Sequence, residues 1–205
     1  MEFFEVIEKR RTIRDFSDTP VPKEKIARIL QAGLKAPSYN HLREWDFIFI
    51  RDAAIRLNIV LADKIREEYP LDELEKAFEN HDPLARSMYI EALPKQRRML
   101  LSAPELLVVT YRPKTAIPES RTIYDLNGLA SVWCCIENIL LAMTAENLCG
   151  VPFVPQHPQK IREILGVPAG REIASLIPFG FREESVKDIP QKKIDLKERI
   201  HVDAW

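Results

Sequence analysis

Glycine is scarce in this chain, with six residues in 205. The sequence accordingly holds neither Gly-x-Gly-x-x-Gly nor a P-loop, the two glycine-dependent ways of letting backbone N–H groups approach a pyrophosphate or triphosphate. A dinucleotide fold of that type and a nucleoside-triphosphatase are both disfavoured. Cysteine is scarce too: Cys134 and Cys135 are adjacent in an apolar run and Cys149 stands apart, an odd count with neither a disulfide framework nor metal-ligand spacing. We read all three as buried, reduced thiols of a cytoplasmic protein. His41, His81, His157 and His201 are scattered, so no metal site is expected. An excess of one charge is also missing. Thirty Lys and Arg against 31 Asp and Glu leave a net charge of −1, without the basic field that nucleic acid or anionic lipid requires. The opening "MEFFEVIEKRR" has no apolar h-region, so no secretory leader is read there. The longest apolar run, Gly128–Ala145, carries Glu137 and Asn138 at its middle, which favours a core or interface helix over a membrane span. Neither a nucleic-acid nor a membrane partner is expected.

What is present is a chain 46% hydrophobic, enough for one domain with a substantial core. A helix is predicted from about Phe3 to Arg10. A second follows Pro22, with Ile26, Ile29, Leu30 and Leu34 on one face. "DFIFIR" (Asp46–Arg51) and "ELLVVTYR" (Glu105–Arg112) read as buried strands, with charged, mostly helical sequence between them at about 53–103. The run from Tyr124 to Gly150 reads as one helix of about 25 residues, apolar all round. "HPQKIREILG" reads as a short helix and "REIASLIPFGF" as a last core strand. The polar tail from about 182 to 205 reads as an arm that wraps a partner or frays. Helices alternating with a few strands give an α+β or α/β sandwich.

Three segments in order resemble the nitroreductase family: "RRTIRDF" (Arg10–Phe16), "APSYNHLREWDFIFI" (Ala36–Ile50), and the stretch from Ala145 through "VPFVP" to Phe181. The closing "KIDLKERIHVDAW" is similar to that family's C-terminal arm. The resemblance implies an α+β three-layer sandwich, a central mixed sheet flanked by helices. It implies a homodimer with FMN at the subunit interface and the C-terminal arm exchanged between copies. Residues 1–205 would form a single FMN-binding domain, and the 53–103 helical insertion would cover the pocket with Tyr69, Phe78 and Tyr89 as candidate lid aromatics.

Arginine suits the FMN phosphate because its planar fork gives two charge-assisted hydrogen bonds. By resemblance, Arg10, beside Arg11, takes the phosphate and Thr12 a ribityl hydroxyl. Arg14 approaches the pyrimidine edge, where reduction builds negative charge. Pro37, Ser38, Tyr39, Asn40 and His41 reach the ring from the second copy. Pro152, Phe153 and Val154 lie along its face, and Arg98 aligns with a family lysine near the ring. Lys192 and Lys193 close over the phosphate. The chain departs from the family at His41, where Asn is common and an imidazole adds a possible proton relay. It departs again at Arg43-Glu44, where Gln-Pro is usual, and at Lys193, where the arm carries arginine. Pro155 stands where a glycine N–H often serves the flavin. The function implied is an FMN oxidoreductase that takes hydride from NADH or NADPH and passes it, by ping-pong, to a small acceptor such as a nitroaromatic or quinone. Alternatives are reductive dehalogenation or flavin fragmentation on the same fold, and a flavin-binding module without turnover.

Overall fold

A computed structural model describes all 205 residues. Its centre is a sheet of four strands, β1 (Trp45–Phe49), β2 (Glu105–Tyr111), β3 (Cys149–Gly150) and β4 (Glu172–Gly180), in the order β1-β2-β4-β3. Every neighbouring pair is antiparallel, which corrects the expected mixed sheet. The parallel contact is an isolated bridge between Thr12 and Gly150, so the N-terminal segment joins the sheet at one residue without forming a strand.

Strand β2 shows why the protein has three layers. Leu107, Val109 and Tyr111 belong to one core cluster and Leu106 and Val108 to another, as the two-residue period of a strand requires. The first cluster is closed by α2 (Lys23–Leu34) and α7 (Asn127–Ala145), the second by α3 (Ala53–Ala62), α6 (Gln96–Ser102) and α8 (Pro158–Leu165). The remaining helices are α1 (Phe3–Lys9), α4 (Leu71–Ala77) and α5 (Pro83–Ala92). Leu34, expected on the buried face of α2, is exposed, and Gly33 is buried beside it.

Helix α7 is shorter than the sequence suggested. Its 19 residues follow a separate 3-10 turn, Ile123–Leu126, closed by a capping box between Thr122 and Asp125. It is not covered all round: Ala130, Cys134, Glu137 and Ala145 are exposed along one stripe. Of the three thiols, then, Cys134 is exposed, while burial pushes Cys135 and Cys149 up to about 12 and keeps them unreactive. The helical stretch Ile123–Ala145 is long and apolar enough to cross a membrane by length and composition, and here it packs on α2 and the sheet.

Helices α2 and α7 meet closely because residue 33 has no side chain: a Cβ there would lie 2.7 Å from Ile139 Cγ1. The Asn138 amide inside the apolar run donates to the Ala32 carbonyl at 3.1 Å, so it is not an orphaned polar group. Beyond the end of α7, Glu146 accepts from Arg28 at 2.6 and 2.8 Å and from Lys25 at 3.2 Å. The Arg28 bonds, helped by Lys25, hold its carboxyl at about 2 against an ordinary 4.5. A carboxylate depressed in the folded state stabilises above its unfolded value and loses that contribution as pH falls through the folded one. Glu146→Gln should therefore cost up to about 1 kcal/mol at neutral pH, with the gap to the parent closing between pH 4.5 and 2, as urea denaturation at a series of pH values would measure.

Candidate active site

The arginine run ends α1 and begins a cavity. Arg11 Nη1 donates to the carbonyls of Glu8 at 2.5 Å and Arg10 at 2.8 Å, serving orphan acceptors at the helix end. Beyond it, Arg11, Thr12 and Arg14 line a cavity of about 470 Å3, with Leu84 and Met88 of α5 opposite and Val186–Lys192 of the C-terminal segment along one side. Arg14 is the cation most enclosed there. Its side chain is 15% exposed and its one acidic contact is a 3.4 Å approach to Glu91. Burial pulls its pKa below the usual arginine range, opposed by the charges of Glu91 and Asp15.

Behind Arg14 runs a chain of alternating charges. Asp15 is 4% exposed and its two oxygens accept from Lys95 and Arg98. Lys95 also donates to Glu91, and Glu91 meets Arg14. Partial burial pulls the Lys95 ammonium down, but its bonds to Asp15 and Glu91 outweigh that and hold it above its ordinary value. The network ties the arginine segment to α5 and the start of α6.

The expected site residues divide by place. Arg11, Thr12, Arg14 and Lys192 share the cavity, while Arg10 is half-buried beside it with no hydrogen bond from its side chain, and Lys193 is exposed next to Lys192. Pro152–Val154 follows Gly150, which bridges Thr12, but none of the three lines the cavity. Phe153 exchanges backbone hydrogen bonds with Leu176 at 2.8 Å in each direction, and the Val154 N–H, on an exposed residue, has no acceptor in the chain. Arg98 turns away to Asp15. Pro37–His41 lies elsewhere: its Ser38 and Tyr39 line a second cavity, and the Tyr39 N–H donates to Ser131 Oγ of α7 at 2.9 Å. Asn40, His41 and Arg43 take positive φ of 51°, 57° and 47°, a left-handed conformation rare for residues with a side chain. The aromatics of the helical segment do not reach the cavity. Phe78 and Tyr89 stack on each other at 4.6 Å with His81 edge-on, and Tyr69 lies under Arg66.

The chain matches the description "Nitroreductase family" over residues 7–181. It belongs to the nitroreductase family. An iodotyrosine deiodinase 1 of Rattus norvegicus is 28% identical over 204 residues, covering 95% of this chain and 67% of that protein. An iodotyrosine deiodinase of Haliscomenobacter hydrossis is 25% identical over 198 residues, covering 93% and 85%. Among solved structures, oxidized iodotyrosine deiodinase bound to FMN and 3-iodo-L-tyrosine shares the fold, with a TM-score of 0.75 at 19% identity and full coverage of both chains.

In this nitroreductase-family chain, sequence reasoning passed over Asp15 and Glu91. Asp15 sits inside the quoted "RRTIRDF", and Glu91 precedes Lys95 by one helical turn, a spacing at which opposite charges meet. Both signals were there to find. Asp15→Ala would strip Lys95 and Arg98 of their shared partner. It should cost about 2 kcal/mol, the scale of charged hydrogen bonds lost without burying a lone charge; the midpoint of urea unfolding reads the loss.

Proposed function

We propose that this chain is an FMN-dependent oxidoreductase that works as a homodimer, takes electrons from NADH or NADPH, and reduces a small aromatic acceptor. The observation that carries the reading is the Arg11–Thr12–Arg14 wall facing Lys192 across a cavity of about 470 Å3. Its donor set fits FMN. Arg14 keeps donors beyond its single long contact to Glu91, Arg10 has no side-chain partner, and Lys192 and Lys193 stand on the segment that borders the opening. Guanidinium and ammonium groups suit a phosphate dianion, and the apolar Leu84 and Met88 suit a ring system.

When bound, FMN supplies the hydride and one-electron chemistry. The chain's part is to hold and bias it. Arg10 and the arm lysines grip the phosphate, and Thr12 takes a ribityl hydroxyl. The positive charge of Arg14 favours the charge that reduction adds. The unengaged Val154 N–H is a donor for the ring edge. Pro37–His41 lines another cavity in the single copy, and we propose that a second copy brings this segment to the flavin. Exposed Phe3, Phe4 and Ile7 on α1, with Leu34 and Leu42, are the apolar surface such an assembly would cover.

The acceptor has two readings. Nitroaromatics and quinones follow from the family. Reductive dehalogenation of an aromatic is supported by the deiodinase relatives along nearly the whole chain. Anaerobic reduction with NADH, followed by addition of either a nitroaromatic or a halophenol, separates them by which one restores the oxidised-flavin absorbance. A purified protein without flavin absorbance that fails to take up added FMN would refute the proposal. Arg10→Ala should weaken FMN binding by about 1.5–3 kcal/mol, the scale of a charged hydrogen bond, seen in equilibrium dialysis. Arg14→Ala should instead make the flavin midpoint potential more negative, measured by dye-coupled reduction.

A further inference from the structure

The second cavity is as distinctive as the first. It encloses about 260 Å3 between the Pro37–Trp45 turn and the start of α7, room for a small molecule and too little for a nucleotide. Its charged lining is Arg43, Arg112, Lys114 and one acid, Glu44. Glu44 is engaged with Arg112 at 3.5 Å. Arg43 and Lys114 meet no carboxylate within ion-pair distance; Asp125 is close enough to feel the Lys114 charge without pairing with it.

Aromatic groups surround them. The hydroxyls of Tyr39 and Tyr124 share a hydrogen bond at 2.5 Å and their rings meet edge to face at 5.6 Å. The Lys114 ammonium sits 3.3 Å from the Tyr124 ring centroid, a contact that orients the cation without cancelling its charge. The bond to Tyr124 holds the Tyr39 phenol above its ordinary pKa, so that ring stays neutral beside Lys114. Trp45, 6% exposed and also on the cavity wall, has an indole N–H with no acceptor. The loop is brought in by a bare position: a Cβ on Gly128 would lie 3.0 Å from the Arg112 carbonyl and 3.3 Å from the Lys114 nitrogen. Of the left-handed residues of this turn, Arg43 stands on the wall, at a cost in backbone energy of the kind found at binding sites.

We propose that this cavity binds a small aromatic carboxylate, with Lys114 and Arg43 taking the carboxylate and Tyr39, Leu42 and Trp45 the ring, while Tyr124, outside the lining, braces Tyr39 and Lys114. Resting on the reading above, in which this turn approaches the flavin of a second copy, the bound anion is the carboxylate-bearing end of the acceptor. The cations then select which aromatics are reduced.

Calorimetry on the full-length protein, with its FMN content recorded, tests this using benzoate, acetate and benzyl alcohol. Benzoate should bind, and acetate and benzyl alcohol about tenfold more weakly, since each lacks one half of the recognition. Lys114→Gln should weaken benzoate about tenfold, and Lys114→Arg should restore most of it, as expected for a charged partner. FMN content should be unchanged in both variants. In turnover, Lys114→Gln should raise KM for 4-nitrobenzoate without changing kcat, and leave nitrobenzene as it was. Equal benzoate binding by the parent and Lys114→Gln, or equal binding of acetate and benzoate, overturns the proposal. Lys114-dependent benzoate binding by a protein that takes no FMN would uphold the subsite and refute the flavin reading. A flavin-loaded protein indifferent to benzoate would do the reverse.

Discussion

The carboxylate of Asp15 holds the first cavity's walls together. It is buried, so it needs cations, because a lone charge out of water is far costlier than a paired one. Lys95 and Arg98 supply them from the helical segment, while the Asp15 carbonyl accepts the Glu183 N–H at 3.2 Å. Three parts of the chain, distant in sequence, thus converge on one residue of the arginine motif. Lys95 passes the constraint to Glu91, and Glu91 to Arg14. The position of the most enclosed cation in the cavity therefore depends on an ion-pair relay that begins one residue away, and its electrostatics are shared with α5.

Much of the fold was legible in the sequence, and the reasons are local. Strands β2 and β4 are continuous apolar runs because both faces are buried, and such runs stand out. Helix α2 shows its period, and α8 is framed by Pro158 and by Gly166 in the left-handed form. What was misjudged depended on neighbours. Strand direction is set by how β1, β2, β3 and β4 are connected and paired, which the hydrophobic pattern of any one strand does not encode. The full length of the central helix was overestimated because the Thr122–Asp125 capping box, a short-range signal, was outweighed by the apolar run after it. Cys134 was taken as buried from composition, whereas its place on the outer stripe of α7 leaves it open to solvent in one copy.

The site was legible in pieces. "RRTIRDF" announces a basic wall, and the structure sets Arg11, Thr12 and Arg14 on it. Arg98 shows the limit of such reading. A basic side chain is drawn to a carboxylate within reach, and here that is Asp15, whose burial could not be seen in one dimension. The Pro37–His41 turn shows a different limit: its partners within the chain are Ser131 and Tyr124, and the flavin contact proposed for it would need a second molecule. The two cavities accordingly divide the chemistry. One offers guanidinium and ammonium groups beside an apolar wall, the other cations outside any ion pair, close to aromatic rings.

The segment that borders the first cavity is also the least anchored part of the protein. Beyond Phe181 the chain contributes no strand or α-helix, and Val186–Lys192 is held largely by Arg182, which donates to Asp188 at 2.7 Å and to the Val186 carbonyl. Those contacts involve surface groups, and no residue beyond Phe181 belongs to either apolar cluster. Displacing this segment would therefore leave the packing of both clusters intact.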